Sequence, residues 1–401
     1  MSTGITSNCM PGTDLELAES ERCIGDILSD EGYHTGYIGK WHLEVPSLNR
    51  TPEPEDGAQD AWDGWTPPGP RRHGFKFWYA YNSNGRHFQP NYWCNAPDRI
   101  DVSRWSVAHE TDIAIEFLRK RPADKPFALF ISWNPPHNPY VAPDSFLAMY
   151  DWKSMEHRPN ARIDERYLKR RTGYLAAVSS VDHYFGILMA ALEENGLDEN
   201  TLVVFTSDHG EMMGSHGRYA KSVWFEESIG IPLIIRWKKK LLPGVEPMPF
   251  ACYHFMPTLL GLMGIEIPEG VEGTSYADYL LGNSDVKSAS AVLAGYGNPA
   301  HLLADGQAPS IWALQADSLH RSGTDWRKVG YRGLRTKRYT YVVDRGRMGD
   351  QLQRLLYDHE KDPYQLHPLK AVYAHENEIM QILDTELHDW LERMHDPFNL
   401  E

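Results

Sequence analysis

Paired cysteines are missing from this sequence. Cys9, Cys23, Cys94 and Cys252 lie far apart, with no C-x-x-C pair and no zinc-ligand spacing. That excludes a disulfide-dense scaffold and a zinc ribbon, and leaves isolated thiols. A basic excess is missing too: 40 Lys and Arg stand against 55 Asp and Glu, a net charge of −15. Phosphate backbones need a basic face, so nucleic acid is not an expected partner. A small anionic substrate stays open if cations gather in one pocket. No apolar run reads as the ~20 residues of a bilayer span, so no membrane association is expected. No charged segment followed by an apolar one opens the chain, so no signal peptide is visible and the compartment is left open. Internal repeats and low-complexity tracts are also lacking.

What is present describes a globular chain. Its 401 residues are 41% hydrophobic and include 13 Trp, enough for one large core or one large and one small. Residues 14–30 read as an amphipathic helix stopped by Gly32, and 33–38 as a short strand feeding Gly39-Lys40-Trp41-His42. From 46 to about 104 the composition turns to Pro, Gly, Trp and Tyr, which predicts a long functional excursion without regular structure. Residues 108–121 predict a helix and 126–132 a buried strand leading to Pro135-Pro136-His137. Apolar residues at threes, fours and sevens predict a long helix over 164–195, closed by Asn195-Gly196. Residues 202–206 and 231–235 read as further buried strands, and 254–264 as a short helix. This alternation predicts an α/β domain with a largely parallel sheet over 1–283. A smaller subdomain of antiparallel strands plus one helix is expected over 284–401.

The chemistry gathers behind the strands. Val203-Val204-Phe205-Thr206 runs straight into Ser207-Asp208-His209-Gly210-Glu211. Open α/β sheets place their ligand sites beyond the carboxyl ends of their strands. Lys40, His42, His137 and Lys221 also follow strand-like runs. Singly, each is a surface lysine or a structural histidine; together they describe a pocket for a tetrahedral oxyanion. Two ammonium groups and a metal would stabilise charge on the transferred group, and an imidazole would protonate the leaving oxygen. Trp78, Tyr81, Asn82, His87 and Trp93 in the aromatic excursion could line a sugar or aromatic ring, or simply pack against the sheet.

The segment Gly32-Tyr33-His34-Thr35-Gly36-Tyr37-Ile38-Gly39-Lys40-Trp41-His42-Leu43 closely resembles a signature of type I sulfatases, within the alkaline phosphatase superfamily. The resemblance continues through Arg72-His73-Gly74-Phe75, Pro135-Pro136-His137-Asn138-Pro139-Tyr140, Thr206-Ser207-Asp208-His209-Gly210-Glu211 and Gly217-Arg218-Tyr219-Ala220-Lys221. It extends to Arg335-Thr336-Lys337-Arg338-Tyr339 and Leu356-Tyr357-Asp358 in the smaller subdomain. It implies an alkaline-phosphatase-like fold and hydrolysis of an aryl or carbohydrate sulfate ester. It further implies that Asp208 and His209 are metal ligands and that Lys40 and Lys221 hold the sulfate oxygens. His42 would stand beside the nucleophile, and His137 would bind substrate and act as acid toward the leaving group. The implied metal is calcium, with manganese or zinc as alternatives, because an imidazole suits calcium poorly. The alternatives in function are a phosphonate monoester or phosphodiester hydrolase and a non-catalytic protein that binds a sulfated ligand.

One departure from the family stands out. The two aspartates and the C-x-P-S-R or S-x-P-S-R motif that supplies the formylglycine nucleophile are not found. Thr3-Gly4 resembles the Thr-Gly that follows that motif. Cys9-Met10-Pro11 begins like it but lacks the arginine and lies on the wrong side of Thr3-Gly4. The expectation is therefore a chain impaired in turnover. Oligomeric state is not readable.

Overall fold

The computed structural model describes residues 16–285, 290–295, 328–346 and 352–401. Cys9 and Thr3-Gly4 lie outside them. The described residues form two compact units, one of 16–156 together with Asp164–Glu199, the other of His157–Ile163 together with those from Asn200 on.

In the unit that contains Lys40, helix α1 covers Ile24–Asp30 rather than the predicted 14–30. It starts late because Cys23 caps it: the Asp26 carboxylate turns back to accept the Cys23 N–H at 2.9 Å. The preceding stretch is drawn off elsewhere, with the Leu17 N–H bonded to the Leu43 carbonyl. Gly32 ends the turn at φ 83°, as expected. Strand β1, His34–Lys40, follows and runs two residues further than predicted, so Lys40 is the last residue of the strand. Strand β2, Phe77–Tyr81, lies inside the stretch expected to lack regular structure. Its run of aromatics has strong strand preference, but the Pro- and Gly-rich surroundings masked it.

Helix α2, Ser106–Lys120, leads to strand β3, Phe127–Ser132. The three strands form a parallel sheet in the order β2-β1-β3, with Lys40 opposite Tyr81 and Gly39 opposite Ser132. Parallel pairing sends all three carboxyl ends to one edge, and this is how the fold places the candidate residues. Gly39 is obligatory here. It sits at φ 98°, and a Cβ would come 2.3 Å from the Ser132 carbonyl oxygen.

Helix α3, Glu165–Glu194, matches its prediction within a residue. The Asp164 carboxylate accepts the Tyr167 N–H, giving it a side-chain N-cap. Gly173 admits the Tyr140 carbonyl, and Trp105 Nε1 donates to Ser180 Oγ at 2.8 Å. This helix is long and apolar enough to cross a bilayer by length and composition, contrary to the expectation that no stretch comes near that length. Its apolar residues surround the axis instead of forming one stripe, and only 28% of the apolar stretch is buried, so it is not a core helix. Ile38, Tyr79, Tyr81, Tyr92, Trp93 and Ala114 form the core beneath the sheet. Full burial of each large side chain contributes about 1.5–3 kcal/mol.

In the other unit, strand β4, Val203–Thr206, pairs antiparallel with strand β5, Leu233–Arg236. Both were expected as buried members of a parallel sheet; both are partly exposed. The connection between them explains the direction: it contains only one short helical turn, Glu226–Ile229, and no helix long enough for a parallel crossover. Helix α4, Phe255–Met263, closes at Gly264 as predicted.

The C-terminal region is the expected antiparallel sheet with one helix, and it belongs to this same unit. Its strands are β6 (Ala291–Gly295), β7 (Tyr331–Arg335), β8 (Tyr339–Asp344), β9 (Gln353–Asp358) and β10 (Leu369–Ala371). They stand in the order β10-β9-β8-β7-β6. The hairpin around Thr336-Lys337 is as predicted. Helix α5, Glu378–Arg393, is capped by Asn377 and lays Met380, Leu383, Leu387 and Leu391 on Leu334, Tyr341, Val343 and Leu356.

Candidate active site

At the carboxyl edge of the parallel sheet, backbone bonds join three segments. The Trp41 and His42 N–H groups donate to the Tyr81 and Asn82 carbonyls, each at 2.8 Å. Lys40 and His42 are thus tied to the segment after β2, with His42 held at φ 53°. The segment after β3 joins through Asn134, whose Nδ2 donates to the Asn84 carbonyl at 2.6 Å. Asn134 also accepts the His137 N–H at 3.0 Å. His137 Nδ1 lies 2.8 Å from the Asn138 carbonyl. A carbonyl can only accept, so Nδ1 carries a hydrogen. The peptide bonds Pro135-Pro136 and Asn138-Pro139 are cis.

Beneath this edge lies a carboxylate that the sequence did not single out. Asp63 is 1% exposed. It accepts the backbone N–H groups of Gly64 and Asn82 and the side-chain amides of Asn84 and Asn91. Burial pushes its pKa up to about 6, while those four bonds oppose the rise. Asn82 in turn donates to the Glu44 carbonyl and accepts the Glu44 N–H. An Asp-Gly pair within a loop was the only sequence signal for this, and it is a weak one.

His87 bridges two of the segments: its Nε2 donates to the His137 carbonyl at 2.8 Å. Burial pushes the His87 pKa down, the bond to His137 opposes this, and the Lys40 ammonium adds to the fall. The aromatic residues weighed for stacking on a substrate are core residues instead. Trp78, Tyr81, Asn82, His87 and Trp93 are each 3% exposed or less. A side chain covered to that extent has no face to offer a sugar.

Asp208, His209 and Lys221 lie in the other unit, on the segment between β4 and β5. The Asp208 side chain is 78% exposed, and its Oδ2 is 3.2 Å from His209 Nε2. His209 Nδ1 lies 2.7 Å from the Gly210 carbonyl and so carries the ring hydrogen. Protonated, Nε2 donates to the Asp208 carboxylate; unprotonated, Nε2 and the carboxylate oxygen are two lone-pair donors that a cation can share. This donor pair fits a divalent metal, one oxygen and one nitrogen, and it suits a borderline ion better than calcium.

The path to Lys221 is fixed by Glu211, which sequence reasoning quoted within a motif but gave no role. Its Oε1 accepts the N–H groups of Met213 and Ala220, at 3.1 and 2.7 Å. Met212 and Ala220 close the same loop through a backbone bond of 2.8 Å. Burial lowers the Lys221 pKa, and Asp208 and Glu211 oppose the fall. A desolvated ammonium so placed attracts an anion more strongly than one in water. The structure thus gathers Lys40, His42 and His137 on one unit and Asp208, His209 and Lys221 on the other. Among the described residues Cys23, Cys94 and Cys252 are free thiols.

An α/β fold with a lysine at the carboxyl edge of a parallel sheet, flanked by imidazoles, defines a class of oxyanion-handling enzymes. The Sulfatase family model matches residues 1–265. An endo-4-O-sulfatase of Bacteroides thetaiotaomicron is 32% identical over 421 residues, which cover 100% of this chain and 79% of that protein. An ulvan-active sulfatase of Formosa agariphila is 30% identical, covering 96% of this chain and 68% of its own. Among solved structures, the sulfatase yidJ of Bacteroides fragilis superposes with a TM-score of 0.79 at 32% identity, covering 96% of this chain and 79% of that one. The chain belongs to the sulfatase family, whose fold it has and whose members named here are sulfuric ester hydrolases.

Proposed function

We propose that this protein hydrolyses a carbohydrate sulfate ester, with Lys40 and Lys221 holding the sulfate oxygens. The observation that carries the reading is the joint anchoring of Lys40, His42 and His137 at one sheet edge through Trp41, His42, Asn82, Asn84 and Asn134. An ammonium group so held stabilises the charge on a sulfuryl group without reorganising. Relatives include arylsulfatases, at 32% and 26% identity over shorter stretches, but the two that align over nearly the whole chain are named for 4-O-sulfate and ulvan, and a more distant one is an N-acetylglucosamine-6-O-sulfatase.

His137 is the proposed acid. Its Nδ1 hydrogen is engaged by the Asn138 carbonyl, so the proton for the leaving oxygen would come from Nε2 of the imidazolium. A sugar alkoxide needs that proton far more than a nitrophenolate does. His42 is proposed as the histidine beside the nucleophile. Asp208 and His209 are the proposed ligands of a divalent metal, which when bound would polarise a sulfate oxygen as a Lewis acid.

The test compares sulfate release from a sulfated oligosaccharide and from 4-nitrophenyl sulfate, in wild type and His137→Ala. The reading predicts a loss of about 10²-fold in kcat on the oligosaccharide and a much smaller loss on the nitrophenyl ester. Equal losses on both would contradict the assignment of His137. Faster turnover of a phenylphosphonate ester than of either sulfate would favour a phosphonate monoester hydrolase, and binding without turnover would fit equally the impaired turnover expected without the formylglycine motif and a sulfated-ligand-binding protein.

A further inference from the structure

Loop 84–87 lies close against the His137 turn on both sides of Arg86. On one side, a Cβ on Gly85 would meet Pro139 Cδ at 3.1 Å and the Asn138 carbonyl at 3.6 Å. On the other side, His87 Nε2 holds the His137 carbonyl. The Arg86 backbone is fixed as well, its N–H donating to Asn84 Oδ1 at 3.0 Å. Asn84 is itself locked by Asp63.

The guanidinium is the unexplained part. Every other arginine between 46 and 104 is engaged. Arg50 and Arg71 pair with Glu16 and Glu44. Arg72 bonds the Thr66 and Cys94 carbonyls and Asn95. Arg99 pairs with Asp101 and Arg104 with Asp112. Arg86 is half-buried and makes no side-chain hydrogen bond or ion pair with a described residue. A chain of net charge −15 has acidic partners in plenty, so a half-buried arginine left without one is notable. It is held next to the residue proposed to face the leaving group.

We propose that Arg86 is a specificity-determining residue that binds a second anionic group on the leaving-group side of the substrate. The substrate class is then an acidic glycan carrying a carboxylate or a further sulfate close to the scissile ester. A planar guanidinium accepts either group through two parallel hydrogen bonds, which a lysine cannot reproduce. This inference rests on the sulfate-ester reading above.

Calorimetric titration of the full chain tests it with three defined disaccharides. One is a monosulfate with a uronate, one the same monosulfate with the carboxyl reduced, and one a disulfate without uronate. Wild type should bind the first or the third at least tenfold more tightly than the second. Arg86→Ala should erase that preference, and Arg86→Lys should keep part of it, which separates lost charge from a misfolded loop. A preference for the first identifies the carboxylate, and one for the third the second sulfate. A wild type without preference, or one whose preference survives in Arg86→Ala, would overturn the inference and leave the sulfatase reading standing. Failure of all three to bind wild type would overturn both.

Discussion

Lys40 and Lys221 are proposed to share one task, yet the chain holds them by opposite means. Lys40 ends a strand paired on both sides, so sheet hydrogen bonds fix its backbone. Lys221 ends an irregular loop in which Met213, Gly214, His216, Gly217 and Ala220 all have positive φ. There the Glu211 carboxylate and turn bonds within the loop, Met212 to Ala220 and Gly214 to Arg218, replace the ladder. Asp63 does comparable work one step removed, fixing the segment to which β1 is tied. Where regular structure stops short of a functional residue, a carboxylate accepting backbone N–H groups takes over. The cost of losing each carboxylate should follow how many donors it leaves stranded and how deeply they are buried.

The largest effect is expected at Asp63. Asp63→Ala strands four donors in a fully covered site and should cost about 3–5 kcal/mol, read by urea denaturation. Asp63→Asn should recover about half of this, because its Oδ1 can still accept from Gly64 and Asn82 while its amide nitrogen cannot accept from Asn84 and Asn91. An Asn variant as stable as wild type would break the comparison.

Next comes Glu110, buried beneath β1 with Oε1 accepting from Tyr92 and Oε2 3.4 Å from the point a Cβ on Gly39 would occupy. Burial raises its pKa to about 8, partly offset by the Tyr92 bond. A carboxyl whose folded pKa exceeds its unfolded value binds its proton more tightly in the folded state. The stability this gives is complete below pH ~4.5 and falls away as pH rises through about 8. Wild type should lose up to about 5 kcal/mol through Glu110 across that window, and Glu110→Gln should flatten the profile above pH ~6, where the contribution of Asp63 is already spent. A profile that keeps its slope in the variant would remove Glu110 as the cause.

At Glu211 the effect on stability should be smaller, about 1–2 kcal/mol for Glu211→Ala. Its sharper signature is local: the Met213 and Ala220 amides should exchange hydrogen faster while those of β1 do not change. The smallest is Asn377→Ala, at the capped start of α5, where about 1 kcal/mol is expected by thermal denaturation with no effect on ligand binding.

The sequence made the candidate residues legible because they are chemical exceptions at the ends of recognisable runs. Lys40 follows Gly36-Tyr37-Ile38-Gly39, and Asp208 follows Val203–Thr206. Parallel pairing then brings the ends of β1 and β3 to one edge, as expected. What stayed hidden is tertiary. Phe77–Tyr81 looked like loop because its neighbours are Pro and Gly, and only pairing with β1 makes it a strand. The direction of β4 against β5 depends on the connection between them, which the apolar pattern does not encode. Trp78 and Trp93 read equally well as sugar platforms or core, and burial chose core. Asp63 could not be told from a surface loop aspartate, since its function lies in which amides point at it.

The most direct test of the central claim is calorimetric binding of a sulfated oligosaccharide to wild type, Lys40→Ala and Lys221→Ala. If both lysines hold the sulfate as proposed, each substitution removes a charge-assisted contact and should weaken binding about 30- to 100-fold. Wild-type affinity retained by either variant would contradict the account.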